Sequence, residues 1–303
     1  MLIMCKRSTN DDKPFLVSRS NQKGALLQLG RAPLNCQWPP FMRSVRCGAL
    51  LVLAALLLTT VSAHAAADVV IAAEDDWPPY SFVGRSGGDA TGFAVNLVRE
   101  AFASQGVHVR FLTVPFARCM FLAKIGKVSG CFDATILNEN RDQYYWHKTP
   151  MFHEELSIFG RDTDPRSNLT LHDLEGTGKR VGYTIEYTYP ESFTLNSHLL
   201  KYGAKSDVML LQMLAAGHLD YIVVNTTPAY MHIRHMGKSA VHLHKVGVIS
   251  EDGFWVAFTR ADPSGAELAR TFDRGLQALH DNGRYRQLQE EMTGDPREGG
   301  PAR

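Results

Sequence analysis

A unit of apolar helix, glycine and apolar strand occurs twice in this chain, and that repetition limits the possible folds more than any other feature. "MFLAKIGKVSGCFDA" ends at Ala134 and "LQMLAAGHLDYIVVN" ends at Asn225. In both, the glycine (Gly126 or Gly217) is followed by a basic residue or His and then by a strand-like run. A glycine in that place is expected just past a helix end, where the left-handed conformation is needed. Strands that alternate with helices in this way predict an open, mostly parallel sheet rather than hairpins.

The flanking segments extend the pattern. "DVVIAA" reads as a strand, and "TGFAVNLVREAFASQG" places Phe93, Leu97, Val98, Ala101 and Phe102 on one helical face with Gly106 as its stop. "VHVRFLTV" alternates as a strand. "PFARCMFLAKIG" opens with Pro115, which suits a first helical turn, and "CFDATI" follows as a strand. The second set runs "KRVGYTI", then "SDVMLLQMLAAG" with Ser206 as N-cap, "LDYIVVN", the helix "TPAYMHIRHMG" and the strand "AVHLHKV". Two similar α/β lobes are expected. The remainder, the strand "GFWVAFTR" and two helices parted at Asn282-Gly283, is too small for a domain and must pack on a lobe. A formal net charge of +1 gives no argument for nucleic acid or an anionic membrane as partner.

The N-terminal part reads as export machinery. Met42-Arg43-Ser44-Val45-Arg46 is a short basic segment before "GALLVLAALLLTTVSAHAAA". The apolar core there is well short of the roughly 20 residues that span a bilayer. Ala63-His64-Ala65 has the small-x-small form of a cleavage site, so 42–65 is read as a signal peptide cut after Ala65, with Ala67 as the alternative. Residues 1–41 precede it as a non-native or disordered extension, and translation from Met42 is the simplest explanation. Cys47 lies before the apolar core, which argues against a lipid anchor. Cys5, Cys36 and Cys47 leave with the leader, so Cys119 and Cys131 remain. Helix and strand rises set those two level if the helix and strand run antiparallel. An oxidising compartment favours a disulfide, and two buried free thiols are the alternative.

Several markers in order resemble one family. They are "WPPYSF" after the first strand, the Gly-Phe-x-x-x-Leu of "TGFAVNLVREAF", "GK" before "CFDATILNENR", "DLEGTGKRVGY", "LAAGHLDYIVVN" and "LHDNGRYRQL". Together they are similar to the bacterial extracellular solute-binding proteins, family 3, which serve polar amino-acid uptake through ABC transporters. The resemblance implies a two-lobed, type II periplasmic binding protein-like α/β fold: two open, mostly parallel sheets joined by two hinge strands, with ligand between them. Lobe one is then 66–160 plus 247–295 and lobe two 161–246, with crossings near 159–161 and 246–248; 296–303 is a disordered tail. It further implies a periplasmic monomer that hands a small amino acid or organic acid to an inner-membrane permease, without a cofactor.

In open α/β sheets ligands sit beyond the carboxyl ends of the strands. Trp77, pushed out of the sheet by Pro78 and Pro79, is placed to cover a planar group or cation, or else caps the lobe core. Glu74 is placed to accept from a ligand amine or guanidinium, its alternative being a solvated loop acid. By resemblance, Arg141 in "ATILNENRDQ" forks onto an α-carboxylate, and Ala134, Thr135 and Ile136 line the cleft. Arg118 is similar to a branch carrying Pro-aromatic-x-Arg, which implies a second cation at the rim, its alternative being an exposed helix Arg. Thr188 in "YTIEYTY" donates to the ligand, with Glu186 where a glycine is frequent. Asn225 departs from the pattern, since amino-acid binders carry a carboxylate there to grip the ammonium. With Arg118 and Arg141 together, a dicarboxylate, a modified amino acid or a small organic acid therefore stands beside a free amino acid as the expected guest. His232, His235, His242 and His244 fall on two elements with no Cys or acid to complete a metal set, so they read as solvated or packing residues. Other classes remain open: a secreted enzyme similar to cyclohexadienyl dehydratase, for which Glu74 or Glu186 is the available acid, or a ligand-sensing partner of a receptor.

Overall fold

In the computed structural model, residues 69–84, 88–240 and 242–294 are described; the leader 42–65, its cleavage point, the 1–41 extension and the 296–303 tail lie outside the described residues. The first group of elements comprises β1 (Val69–Ala73), the short strands β2 (Asp76–Trp77), β3 (Ser81–Val83) and β4 (Ala90–Thr91), helix α1 (Phe93–Ala103), β5 (Val109–Thr113), α2 (Phe116–Lys124), β6 (Gly130–Ala134) and β7 (Tyr144–Trp146). The long strand β8 (Phe152–Arg161) leads to the second group: β9 (Arg180–Thr184), the single turn α3 (Glu191–Thr194), β10 (Leu200–Ala204), α4 (Asp207–Ala215), β11 (Tyr221–Asn225) and α5 (Thr226–Met236). The chain returns along β12 (Leu243–Thr259) and ends in α6 (Ser264–Asp281) and α7 (Arg284–Gly294).

The repeat seen in the sequence is a repeat of structure. Gly126 and Gly217 stand just past the ends of α2 and α4 with φ of 71° and 75°. In each case the next amide reaches back into the helix, Lys127 N to Leu122 O and His218 N to Met213 O, both at 2.9 Å. Ser206 caps α4, its hydroxyl accepting from Met209 N at 3.2 Å. β1 lies between β5 and β6 and is parallel to both, with Ile71 opposite Phe111 and Gly130. β9 sits likewise between β10 and β11, with Gly182 opposite Tyr202 and Ile222.

One antiparallel pair carries both groups. β8 and β12 run together from Arg161 opposite Leu243 to Phe152 opposite Phe254. On its other edge β8 pairs with β11, from Leu156 opposite Asn225 to Phe159 opposite Ile222. β12 continues past β8, and Trp255 to Phe258 pair with β6 while Ala257 to Thr259 pair with β7. The two separate strands expected at "AVHLHKV" and "GFWVAFTR" are thus one strand of 17 residues. Its middle is half exposed and gives no continuous apolar run, which is why it looks interrupted. Irregular register between Lys245 and Gly247 and between Val248 and Ser250 lets the strand twist as it crosses.

Each group buries side chains on both faces of its sheet. In the first, Leu97, Val98 and Phe102 of α1 meet Ile71, Phe132, Phe258 and Phe272. The opposite face holds Ala72, Val114, Phe116, Cys119, Cys131 and Ala134. Full burial of each large side chain contributes about 1.5–3 kcal/mol. Cys119 of α2 and Cys131 of β6 form a disulfide with Cα atoms 5.5 Å apart and a sequence separation of 12. A loop of this order restrains the unfolded chain by about 3 kcal/mol. The double variant Cys119→Ala/Cys131→Ala is expected to lose roughly that much unfolding free energy in urea, and reduction of the wild type should lower its midpoint similarly; an unchanged midpoint contradicts the assignment.

Candidate functional site

The carboxyl ends of β1, β6, β9 and β11 converge on one cavity. From the first group come Glu74, Trp77, Phe116, Asp133 and Thr135; from β8 and β12, Leu156, Asp252 and Phe254; from the second group, Tyr187, Thr188 and Asn225. The space inside is about 20 Å³, enough for roughly one water.

The loop after β1 is held by α1. Gly92, at φ 123°, lies so close to the loop that an added Cβ would stand 2.4 Å from Tyr80 O. With the glycine in place, Phe93 N and Ala94 N donate to Pro79 O and Tyr80 O, both at 2.9 Å. Ser81 Oγ donates to Glu74 O at 2.6 Å. Trp77 is 2% exposed and lies in an aromatic cluster, its ring 4.7 Å from Tyr80 and 4.9 Å from Phe254. Tyr80 in turn stacks on Phe152 at 4.4 Å. The indole therefore belongs to the apolar core of the first group and also forms part of the cavity wall.

Glu74 is buried, and the Tyr187 hydroxyl from the second group donates to its Oε1. Phe116 meets the same tyrosine ring edge-on at 5.6 Å. A further link between the two groups joins Asn138 Nδ2 to Glu191 Oε1 at 2.9 Å. Near the crossing strands, Glu154 accepts from the Tyr80 hydroxyl and, at 2.7 Å, from Thr227 N. Asn225 ends β11 and donates weakly to Glu155 O at 3.4 Å. Thr135 Oγ1 donates to Gly253 O at 3.4 Å.

Of the residues expected from sequence, Glu74, Trp77, Thr135, Thr188 and Asn225 are brought together around the cavity. Ala134 is fully buried in the sheet opposite Trp255, and neither it nor Ile136 is among the lining residues. Arg118 on α2 and Arg141 after β6 are exposed and stand outside the lining. Arg141 is fixed through its backbone: its N donates to Leu137 O at 2.9 Å, and its carbonyl accepts from the Trp146 indole at 2.9 Å. Sequence reasoning passed over Asp133, Asp252 and Tyr187. The available signal for Asp133 was an acid inside an otherwise apolar strand, since unpaired acids are almost never buried.

The cavity is electrostatically one-sided. Burial holds Glu74 well above the usual carboxylate range; the Tyr187 hydroxyl opposes this, while nearby Asp133 and Asp207 add to it. Asp133 is likewise raised by burial. Asp207, buried and bonded to the Thr184 hydroxyl, is raised to about 6. Among the described residues no group of three or more His, Cys, Asp or Glu is arranged to hold a metal. His232 is buried and lowered to about 4 by desolvation and by His235, and His244 faces Asp162 at 2.8 Å.

The chain belongs to the bacterial extracellular solute-binding proteins, family 3, whose family model matches residues 69–295. No curated protein matches it in sequence. Among solved structures it is similar to a histidine kinase sensor domain with similarity to periplasmic binding proteins, with a TM-score of 0.66 and 24% identity over 75% of this chain and 96% of that one. An ancestral arginine-binding protein bound to arginine gives a TM-score of 0.65 and 20% identity over 75% of this chain and 98% of the other. An amino acid ABC transporter substrate-binding protein from Streptococcus pneumoniae, bound to L-arginine, gives 0.62 and 18% over 74% and 94%. At these identities the likeness concerns the fold, which is the mixed α/β fold of periplasmic binding proteins.

The raised carboxyl of Glu74 has a consequence for stability. Below the ordinary glutamate range both folded and unfolded chains hold the proton. As pH rises through that range the unfolded chain ionises first, so the folded state loses stability. Glu74→Gln is therefore expected to melt above the wild type at pH 7 and level with it near pH 4. A melting temperature at pH 7 below the wild type would show that Glu74 is held ionised.

Proposed function

We propose that the protein is a periplasmic receptor that closes two lobes over a small amino-acid-like solute and delivers it to an inner-membrane ABC permease. The observation that carries this reading is a narrow cavity walled by both groups of strands and bridged by the Tyr187–Glu74 hydrogen bond. Ligand sites usually offer ~300 Å³ or more, so a solute enters this one only when the halves part. In this reading the opening rotation falls on residues 152–155 and 251–254, where β8 and β12 pair with each other alone, before β8 gains β11 at Leu156 and β12 gains β6 at Trp255. This differs from the crossings near 159–161 and 246–248 that the resemblance implies, and takes the lobes as the strand groups on either side of the rotation. Membership of the family supports capture without chemistry on the solute. Two structural neighbours solved with arginine bound give a precedent for an amino-acid cargo.

In this reading Glu74, Trp77, Thr135, Thr188 and Asn225 contact the solute, and the side chain of Arg141, exposed outside the lining in this arrangement, swings in to meet its carboxylate. A second reading, a secreted enzyme of the cyclohexadienyl dehydratase type, is favoured by Glu74, whose burial raises its carboxyl above the usual range, the direction a general acid needs. Thermal-shift screening of the full chain against amino acids, organic acids and short peptides separates the two. A receptor is stabilised by a solute that it leaves intact; conversion of that solute identifies the enzyme, and no stabilisation by any class overturns both readings. Arg141→Ala should weaken a carboxylate-bearing solute more than tenfold, about 1.4 kcal/mol, while a decarboxylated analogue binds as before. Wild-type affinity for the carboxylate in that variant removes Arg141 from the site.

A further inference from the structure

We propose that Asp133, paired with Glu74, forms a carboxylate floor in the cleft that receives a cationic group of the solute, an ammonium or a guanidinium. This deepens the receptor reading above and rests on it.

Asp133 stands apart from the other buried acids by what it lacks. Its side chain is 3% exposed, and neither carboxylate oxygen has a hydrogen-bond partner. Among the described residues no other carboxylate is buried without one. Glu154 has the Tyr80 hydroxyl and Thr227 N, and Asp207 has the Thr184 hydroxyl. A buried acid without donors is costly to keep, and this one lines the cavity. Its backbone adds to the cost: φ is 66°, a left-handed conformation at the end of a strand. Strain of this kind persists where the surroundings demand it, and it clusters at ligand sites.

The neighbours fit a cation and nothing negative. Three acids line the cavity, Glu74, Asp133 and Asp252, with no Lys, Arg or His among the lining residues. Ser250 already donates to Asp252 at 2.6 Å, and Tyr187 donates to one oxygen of Glu74. Both oxygens of Asp133 and the second oxygen of Glu74 remain for donors on a guest. The walls are the rings of Trp77, Phe116 and Phe254, suited to an alkyl stem and to a cation lying over an aromatic face. Two neighbouring acids that each resist ionisation alone are both satisfied once a cation with several N–H donors lies between them.

Calorimetric titration of the full chain at pH 7 tests this with L-arginine, L-lysine, agmatine and putrescine as cationic probes. L-citrulline, which replaces the guanidinium with a neutral urea group, and L-glutamate serve as controls. At least one cationic probe is expected to bind at least tenfold more tightly than both controls. Asp133→Asn is expected to lose at least tenfold of that affinity. The same variant, without solute, should melt at or above the wild-type temperature, because Asn tolerates the left-handed conformation and removes the unpaired acid. Asp133→Gly, also at ease at that φ, repeats the test should the amide fail to fold. A variant that melts lower, or that binds the cationic probe with wild-type affinity, makes Asp133 a structural residue and overturns the proposal. Stabilisation by calcium or magnesium chloride alone, with no response to organic cations, overturns it as well. Capture of L-citrulline or L-glutamate with the cationic probes ignored overturns this inference and leaves the receptor reading standing, whereas silence from every probe and from the wider screen removes both.

Discussion

The antiparallel ladder between β8 and β12 is the constraint on which the rest depends. The chain passes between the two groups of parallel strands only along these strands, among the described residues. β8 gives one edge to β11, and β12 goes on to lie between β6 and β7. The ladder therefore fixes which strand ends face each other. Because parallel strands direct their carboxyl ends the same way, β1 and β6 present their end loops to those of β9 and β11, and the crevice between them is where side chains from both groups meet.

What fills that crevice is unusual for a protein interior. Acids occupy positions that a stable core gives to apolar side chains or to paired charges, and no basic side chain among the lining residues answers them. Tyr187 answers Glu74 in part, and its ring also packs against the cores on both sides of the cavity. Asp133 has no such relief. Local rules of folding are broken most openly where a protein keeps its function, at a cost that the remaining core offsets. Here the offset comes from aromatic packing around Trp77, Tyr80, Phe152 and Phe254, which encloses the floor of the cavity.

Much of this architecture was legible in the sequence because it is written locally. The repeated helix–glycine–strand unit, the Ser206 cap and the apolar face of α1 each depend on residues a few positions apart, and each stands as expected. The long strands were harder to read. β12 appeared as two pieces because its central stretch is sandwiched less fully than its ends, and pairing with a strand some ninety residues earlier leaves no periodic trace (roughly the separation of its partners in β8). The little sheet of β2, β3 and β4 consists of strands too short to show any period. Position relative to a strand end is what sets Glu74 and Trp77 in the cavity lining. The arginines were assigned from resemblance, and Arg118 and Arg141 stand exposed outside the cavity lining. Asp133 went unremarked because an acid in a strand looks like an exposed alternate residue until the fold shows that strand buried along its whole length.

The account stands or falls on whether the two halves move about the β8–β12 ladder. Small-angle X-ray scattering of the purified protein, with and without a saturating solute, measures this directly. The radius of gyration is expected to exceed that of the closed arrangement when no solute is present and to contract to it on saturation. Superimposable curves under both conditions would contradict it, because a cavity of about 20 Å³ cannot admit a solute unless the halves separate.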